Sequence, residues 1–184
     1  MRNLLLLLLS IFYTVGNAQT FHSELSVINN TATITLLYSG NWKSKGELRT
    51  IIESELSKKR GLALASSSDS VLNFTIQNYS LNRKGYKNTF AGQDDCIDNG
   101  MYAGVMIVVR DNEYDVIIRN INFMAKLKFQ SDKFRETNCS FEHMVLAPGN
   151  IILPAKKSPN RYNLAGIVIT NMYDLFSLSI HPKE

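Results

Sequence analysis

Residues 92–100, with the sequence GQDDCIDNG, bring more potentially reactive side chains together than any other part of the chain. They include three carboxylates, Asp94, Asp95 and Asp98, and one thiol, Cys96. Carboxylates bind hard cations such as calcium, whereas a thiol acts as a nucleophile or forms a disulfide. Three kinds of chemistry are therefore open for this segment: a metal loop, a reactive thiol and a disulfide anchor.

The calcium motif of helix-loop-helix sites is not met by this segment. That motif requires oxygen ligands at alternating positions, a glycine at the sixth position and a glutamate at the twelfth. Counting from Asp94 places Cys96 third, Asn99 sixth and Val105 twelfth, so the pattern fails at each of these positions. A looser cation site formed by the three aspartates remains as an alternative to an acidic loop that faces solvent.

The amino terminus has the pattern of a secretory leader. Arg2 supplies a positive charge, residues 4–15 form an apolar run, and a small-residue cleavage site ends at Ala18. The apolar run is shorter than the roughly 20 residues that a membrane-spanning helix needs. We predict that residues 1–18 are cleaved and that residues 19–184 form a single domain, exported to the periplasm or cell surface or secreted, without a transmembrane segment.

Export makes oxidation the expected state of the two cysteines. Cys96 and Cys139 are the only cysteines, and each lies in a segment without regular periodicity. A bridge between them would close a loop of 43 residues. On the chain-entropy account, such a bridge stabilises a fold by roughly 4 kcal/mol. We predict that the two residues form a disulfide.

Two competing sites would use the same cysteines. Cys139 precedes His143 in NCSFEHM, and this spacing would form a cysteine–histidine dyad if both residues lay on one helix. The flanking residues give no strong helix pattern, which disfavours the dyad. A zinc site built from Cys96, Cys139 and His143 is equally disfavoured, because structural zinc usually has four protein ligands.

Composition and motifs disfavour several other classes of function. The net charge is +4 and is dispersed along the chain, so we expect no nucleic-acid partner. The sequence contains no glycine-rich phosphate loop, serine nucleophile elbow or HExxH pattern. We therefore expect no catalytic residue and no cofactor.

Hydrophobic periodicity predicts the elements of the first half of the chain. Residues 25–38 contain two apolar stretches around a pair of asparagines, which indicates a hairpin or one long strand. Ser44 and Glu47 have capping-box spacing at the start of an amphipathic helix, which Gly61 is expected to close. In residues 71–81 apolar and polar residues alternate, as in a half-buried strand.

The clearest hairpin is predicted for residues 101–129, with a two-residue turn at Asp111 and Asn112. In its second arm, every second residue from 117 to 129 is apolar except Arg119, and we call this set the apolar parity of the arm. Its members are Ile117, Ile121, Phe123, Ala125, Leu127 and Phe129.

Residues 130–161 are interpreted as an insertion with a small hairpin near Pro148 and Gly149. The apolar run MVLAPGNIIL within it either packs on the sheet edge or forms an exposed contact surface. A final helix is predicted from one apolar stripe. The stripe consists of Leu164, Ile167, Val168, Met172, Leu175 and Phe176.

Taken together, these elements predict an α+β fold. We expect an antiparallel sheet of about five strands with two amphipathic helices on one face, together with a long loop and the inserted segment.

One part of the sequence resembles a known family. The run LLYSGNWKSKGELRTIIESEL and the hairpin GVMIVVRDNEYDVIIRNINF resemble an exported bacterial domain family of unknown function with a TATA-box-binding-protein-like fold. Trp42, Asp111 and Tyr114 hold the places of the family's recurrent motif residues. The likeness covers roughly residues 31–123, and the chain departs from the pattern in its long loop and its insertion. The resemblance implies this fold but brings no catalytic residues and no DNA binding.

The sequence therefore favours a non-catalytic exported domain that binds a partner or supports an envelope or surface assembly. Its contacts would be made by the open sheet face or the inserted loops. A hydrolase that uses Cys139 and His143, or a metal held by the acidic loop, is one alternative. A binder of small apolar ligands between the helices and the sheet is another.

Overall fold

A computed structural model of the chain describes residues 20–40, 44–83, 94–97, 99–128, 134–152, 157 and 159–178. The predicted leader, residues 1–18, lies outside these residues, and so do Trp42, Asp98 and Phe129. Within the described ranges, no helix has both the length and the apolar character needed to cross a membrane.

The described residues form nine strands and four helices. The strands are β1 (Thr20–Ile28), β2 (Thr31–Ser39), β3 (Leu62–Ser67), β4 (Val71–Tyr79), β5 (Met101–Arg110), β6 (Glu113–Lys128), β7 (Phe134–Ser140), β8 (Leu146–Ala147) and β9 (Ile151–Ile152). The helices are α1 (Lys45–Leu56), α2 (Asp94–Ile97), α3 (Phe141–Val145) and α4 (Pro159–Phe176). The α+β class predicted from the sequence is confirmed.

The main sheet is larger than predicted. It has seven strands rather than about five, in the order β1-β2-β6-β5-β4-β3, and β7 pairs with the second part of β6. All of these pairings are antiparallel. The two strands that the sequence pattern missed, β3 and β7, pair on one side only. Their sequences, LALASS and FRETNCS, lack the regular alternation on which the prediction relied.

The hairpin turns follow the expected chemistry. Asn29 and Asn30 join β1 to β2 with φ values of 51° and 61°, as a tight hairpin turn requires. Asp111 and Asn112 form the predicted turn between β5 and β6. The small hairpin predicted in the insertion consists of β8 and β9, and Gly149 in its turn has φ 81°.

The predicted parity of β6 is wrong in its first part. Asn120 has φ 55°, and the register against β5 shifts by one residue at this point. The alternation of buried side chains therefore changes phase. Ile121 and Phe123 are buried, whereas Ile117 and Arg119 lie on the opposite face. A bulge of this kind redirects side chains without changing the apolar composition of the strand.

The start of α1 is confirmed and its end is corrected. The Glu47 backbone N–H donates to Ser44 Oγ at 3.3 Å, as in an N-cap. The helix ends at Leu56, well before Gly61. Gly61 has φ 86° and lies at the entry to β3, so it shapes that turn rather than the helix end. The basic residues 58–60 consequently follow the helix instead of forming its last turn.

The core is a single cluster of buried side chains from both long helices and the inward-facing residues of the sheet. All six residues of the apolar stripe predicted for the last helix are buried. The end of α4 is held by hydrogen bonds from distant side chains. Tyr38 Oη donates to the carbonyl of Tyr173 at 3.1 Å, and Tyr114 Oη donates to that of Phe176 at 3.0 Å. Lys59 Nζ donates to two further carbonyls there, at 2.6 and 2.8 Å.

Candidate functional site

The pleat of the sheet separates its side chains into a buried set and a second set that points the other way. The second set is only partly buried, and its members in the four central strands form rows across the sheet. We call this surface the outer face. One row is Val71, Val108, Asp115 and Leu37, the next is Asn73, Met106, Ile117 and Thr35, and the third contains Thr75, Gly104 and Arg119. The outer face therefore mixes apolar and polar side chains in the middle of the sheet.

A groove of about 310 Å³ crosses the outer face at Gly104. Its floor is formed by β4 and β5, with Gly104 paired between Thr75 and Arg119. Side chains that line the groove include Ala65, Asn73, Thr75, Met106, Ile117 and Arg119. Every lining residue lies on a strand, and none is contributed by a described helix.

Arg119 is the only charged residue among those that line this groove. Its Nε atom is buried and has no hydrogen-bond partner among the described residues. Leaving a buried donor unsatisfied costs roughly 1–3 kcal/mol, or more when the group is charged. Arg119 thus lines the groove, while its Nε donor is buried and unsatisfied by the described protein groups.

A second arginine on the same face is fully paired. Arg110 Nη1 donates to Glu113 Oε1 at 2.8 Å, and Arg110 Nη2 also contacts Asp115 Oδ2. The hydrogen bonds that Arg110 donates to Asp115 and, second, to Glu113 raise the pKa of Arg110. Arg110 and Arg119 thus have the same chemistry and different surroundings.

Within the acidic segment, Asp94–Ile97 form the short helix α2, which packs against β6. Cys96 of α2 and Cys139 of β7 are joined as a disulfide, with Cα atoms 5.8 Å apart. This separation lies in the range that disulfides require, and it supports the predicted pairing. The bridge links the end of the long loop to a strand that begins within the predicted insertion.

The cysteine–histidine dyad is not supported by this geometry. Cys139 lies on β7 and is bonded to Cys96, so it offers no thiolate. His143 lies on α3 and its side chain is exposed. The two residues therefore do not share a helix. A zinc site from these cysteines and His143 meets the same objection, because metal-binding cysteines must be free thiolates.

The neighbouring Glu142 has a structural contact instead. The backbone N–H of Ala32 donates to Glu142 Oε1 at 3.2 Å, and Ser140 Oγ donates to Glu142 Oε2. Glu142 thus binds a backbone N–H of β2 next to the point where β6 bulges away from it. Its carboxylate takes the place of a strand partner.

The weak cation candidates fall largely outside the described residues. Asp98 is not among them, and of Asp94 and Asp95 only the backbone is described. Within the described part of the chain, no group of three or more histidine, cysteine, aspartate or glutamate side chains could hold a metal. A cation site formed by these three aspartates stays a prediction.

The apolar run MVLAPGNIIL contains one part that packs on the domain and one part that is exposed. Met144, Val145 and Leu146 are buried in the core cluster. Ile151 and Ile152 of β9 are 55% and 39% exposed. The first arm therefore packs on the domain, and the second presents a small apolar tip to solvent.

The hydrophobic pattern of the sequence does not predict the groove. In that pattern Arg119 only interrupts a row of apolar residues, and Gly104 within β5 has no assigned role. A glycine within a strand can mark a close approach by another group, so this signal was available. The pairing of Gly104 with Arg119 also follows from the predicted turn at Asp111 and Asn112, because it lies in the register that this turn sets.

Comparison with protein-family models finds no match, and neither does comparison with curated proteins. Among solved structures, the chain is similar to a TBP-like protein from Parabacteroides distasonis, with a TM-score of 0.44 and 15% sequence identity; the likeness covers 86% of this chain and 92% of that one. It is also similar to a DUF4468 family protein from Bacteroides ovatus, with a TM-score of 0.44 and 8% identity, covering 87% of this chain and 94% of that one.

Proposed function

We propose that this chain is an exported, non-catalytic binding domain that contacts its ligand or partner through the outer face. In this proposal α1 and α4 cover the opposite face of the sheet and hold it rigid. The observation that carries the proposal is the groove at Gly104, which lies in the centre of the sheet and is lined by strand residues alone. A rigid sheet is a suitable platform for such a site, because its side chains are held in fixed register.

The arrangement of α4 supports the assignment of the two faces. Tyr38 and Tyr114 belong to the buried set of sheet residues, and both donate to carbonyls at the end of α4. The buried residues of α1, which are Leu48, Ile52 and Leu56, belong to the same core cluster. The outer face is therefore the surface that these contacts leave available.

Export rests on the leader pattern and the cysteine pair together. Residues 1–18 have the order of charge, apolar run and small residues that signal peptidases recognise. Disulfides persist in the oxidising compartments outside the cytoplasm. We infer that residues 19–184 are the exported domain, and that the bridge between Cys96 and Cys139 forms there.

A ligand screen on the exported protein tests the binding face. The full chain is expressed with its own leader and purified from the exported fraction. Its intact mass is then measured and is expected to match a chain that begins at Gln19. Thermal-shift measurements with a panel of small anions, cations, neutral compounds and short peptides then identify ligands. Each ligand is retested on Met106→Glu, which places a charge in the groove.

The matched control for the screen is Ile151→Glu, which makes the same kind of change on the exposed tip of β9. We expect ligands to lose their stabilising effect on Met106→Glu and to keep it on Ile151→Glu. Ligands that still stabilise Met106→Glu but no longer stabilise Ile151→Glu would move the binding site to the insertion and contradict the proposal. Far-UV circular dichroism establishes that both variants are folded before they are compared.

A further inference from the structure

Building on the proposed function, we propose that the groove at Gly104 binds a small organic carboxylate with an apolar body, and that Arg119 holds the carboxylate. The bound group would accept hydrogen bonds from the two Nη atoms of Arg119, because Nε is buried and a ligand in the groove does not reach it. A guanidinium and a carboxylate form two parallel hydrogen bonds in such a geometry.

The charge distribution around the groove favours an anion. The strands β3, β4 and β5 contain no acidic residue, and the two acidic residues of β6, Glu113 and Asp115, both pair with Arg110. Arg119 therefore has no carboxylate partner on the strands that form the groove. A partly buried cation without a counter-charge attracts an anionic ligand more strongly than an exposed one, because solvent screens it less.

Gly104 supplies room for this ligand. A Cβ atom built at this position would meet only the Arg119 carbonyl oxygen within 4 Å, at 3.8 Å, so packing does not exclude a side chain. The backbone at Gly104 does not have positive φ, so its conformation does not require glycine either. Glycine weakens the interior of a strand and often marks a place where a ligand approaches the backbone closely. The absence of a side chain beside Arg119 is explained if the ligand occupies that space.

The other walls of the groove define the rest of the ligand. Met106 and Ile117 offer apolar contact, and the Thr75 hydroxyl accepts a hydrogen bond from Gln77 Nε2 at 3.1 Å, which leaves its own proton to donate to a ligand. The volume of about 310 Å³ lies at the lower end of ordinary ligand sites. A phosphate or sulfate would use the guanidinium but would leave the apolar walls without contact. A branched aliphatic acid fits all of these features.

The test uses 4-methylpentanoate and its uncharged amide, 4-methylpentanamide, as a matched pair of probes. Binding to the oxidised exported protein is followed by the backbone amide resonance of Gly104 in ¹H–¹⁵N spectra. We expect the acid to bind at least about tenfold more tightly than the amide. Arg119→Gln should weaken binding of the acid by a similar factor, and Arg119→Lys should also weaken it because the ammonium lacks the planar fork. Arg60→Gln is the matched control and should leave the affinity nearly unchanged, because Arg60 is exposed and does not line the groove.

Thermal unfolding of Arg119→Met separates binding from a structural role. We expect this variant to unfold at the same temperature as the wild type or higher, because it removes an unsatisfied donor. A marked fall would assign Arg119 to the stability of the sheet and overturn the proposal. Equal binding of the acid and the amide, acid binding that Arg119→Gln leaves intact, or no response of Gly104 to the acid at millimolar concentration would also overturn it.

The same measurements separate this proposal from the broader one. If Met106→Glu abolishes binding of the ligands from the screen and Arg119→Gln does not weaken it, the outer face is the binding surface and the carboxylate inference fails. The source of the carboxylate is resolved with acetyl-Gly-Leu in its free and amidated forms. Tighter binding of the free peptide than of 4-methylpentanoate identifies a peptide carboxyl terminus, and the reverse order identifies a small free acid.

Discussion

The end of α4 is held by side chains from distant elements in addition to the adjacent Ser177, whose N–H and hydroxyl both donate to the Tyr173 carbonyl. The last carbonyls of a helix have no partners within it and must find donors elsewhere. Tyr38 and Tyr114, whose rings stack with centroids 4.7 Å apart, each supply a hydroxyl. Burial, followed by the nearby Tyr114, raises the pKa of Tyr38, so its hydroxyl keeps its proton and remains a donor. Lys59 adds a positive group where the helix dipole favours one.

Tyr114→Phe tests this arrangement at the level of one atom. Tyr114 is fully buried, so removing its hydroxyl leaves the Phe176 carbonyl without that donor and away from solvent. We expect the free energy of unfolding to fall by about 1–2 kcal/mol. Urea titration followed by circular dichroism measures the change. Tyr102→Phe, on a ring that is 38% exposed, is the control and should change it by less than about 0.5 kcal/mol.

A loss no greater for Tyr114→Phe than for Tyr102→Phe would contradict the role given to this hydroxyl. The attachment of α4 would then depend on apolar packing of its buried stripe alone.

At the scale of elements, β6 determines the shape of the sheet. Its first part pairs with β2 and its second part with β7, and the bulge at Asn120 lies between the two pairings. Arg119 lies on the turn side of the bulge, and it faces outward beside Gly104 in the register that the turn at Asp111 and Asn112 sets. One residue with positive φ thus separates the two pairing partners of β6 and changes the phase of the strand after Arg119.

Substitutions at Asn120 test the bulge through its conformation. Asparagine tolerates the left-handed region better than alanine, and glycine adopts it without steric cost. We expect Asn120→Ala to lower the free energy of unfolding by about 1 kcal/mol and Asn120→Gly to leave it unchanged or raise it. Both are measured by urea titration. Equal losses in the two variants would show that the asparagine side chain matters, rather than the backbone conformation.

Local periodicity explains which elements could be predicted. The stripe of α4 and the alternation of β4 are properties of short segments, so the sequence reveals them directly. The edge strand β3 shows no apolar alternation because most of its side chains are exposed. Periodicity predicts α4 but not all of its contacts. The buried side-chain amide of Asn171 forms hydrogen bonds with the backbone of Asn82, which is distant in sequence. The candidate site depends on the register of β5 against both neighbouring strands. The predicted turn fixes the register with β6, whereas the register with β4, which is joined to β5 by the long loop, is not revealed by a single sequence.

At the scale of the whole molecule, the disulfide joins regions that the sheet alone does not hold together. Cys96 follows the long loop after β4, and Cys139 lies on β7, which pairs only with the far end of β6. A 43-residue loop closed in this way stabilises a fold by roughly 4 kcal/mol on the chain-entropy account. Domains are usually stable by only about 5–15 kcal/mol. The bridge therefore represents a large share of the stability expected for this chain, and that share depends on an oxidising compartment.

The double variant Cys96→Ala/Cys139→Ala tests this dependence. We expect its free energy of unfolding to be lower than that of the oxidised wild type by roughly 4 kcal/mol. Urea titration of the wild type in a strong reductant is the control, because it removes the bond and leaves both side chains in place. The reduced wild type and the double variant should agree closely. If reduction has no effect, and both thiols of the exported protein react with an alkylating agent beforehand, then the bridge does not form and Cys139 regains its place as a candidate nucleophile.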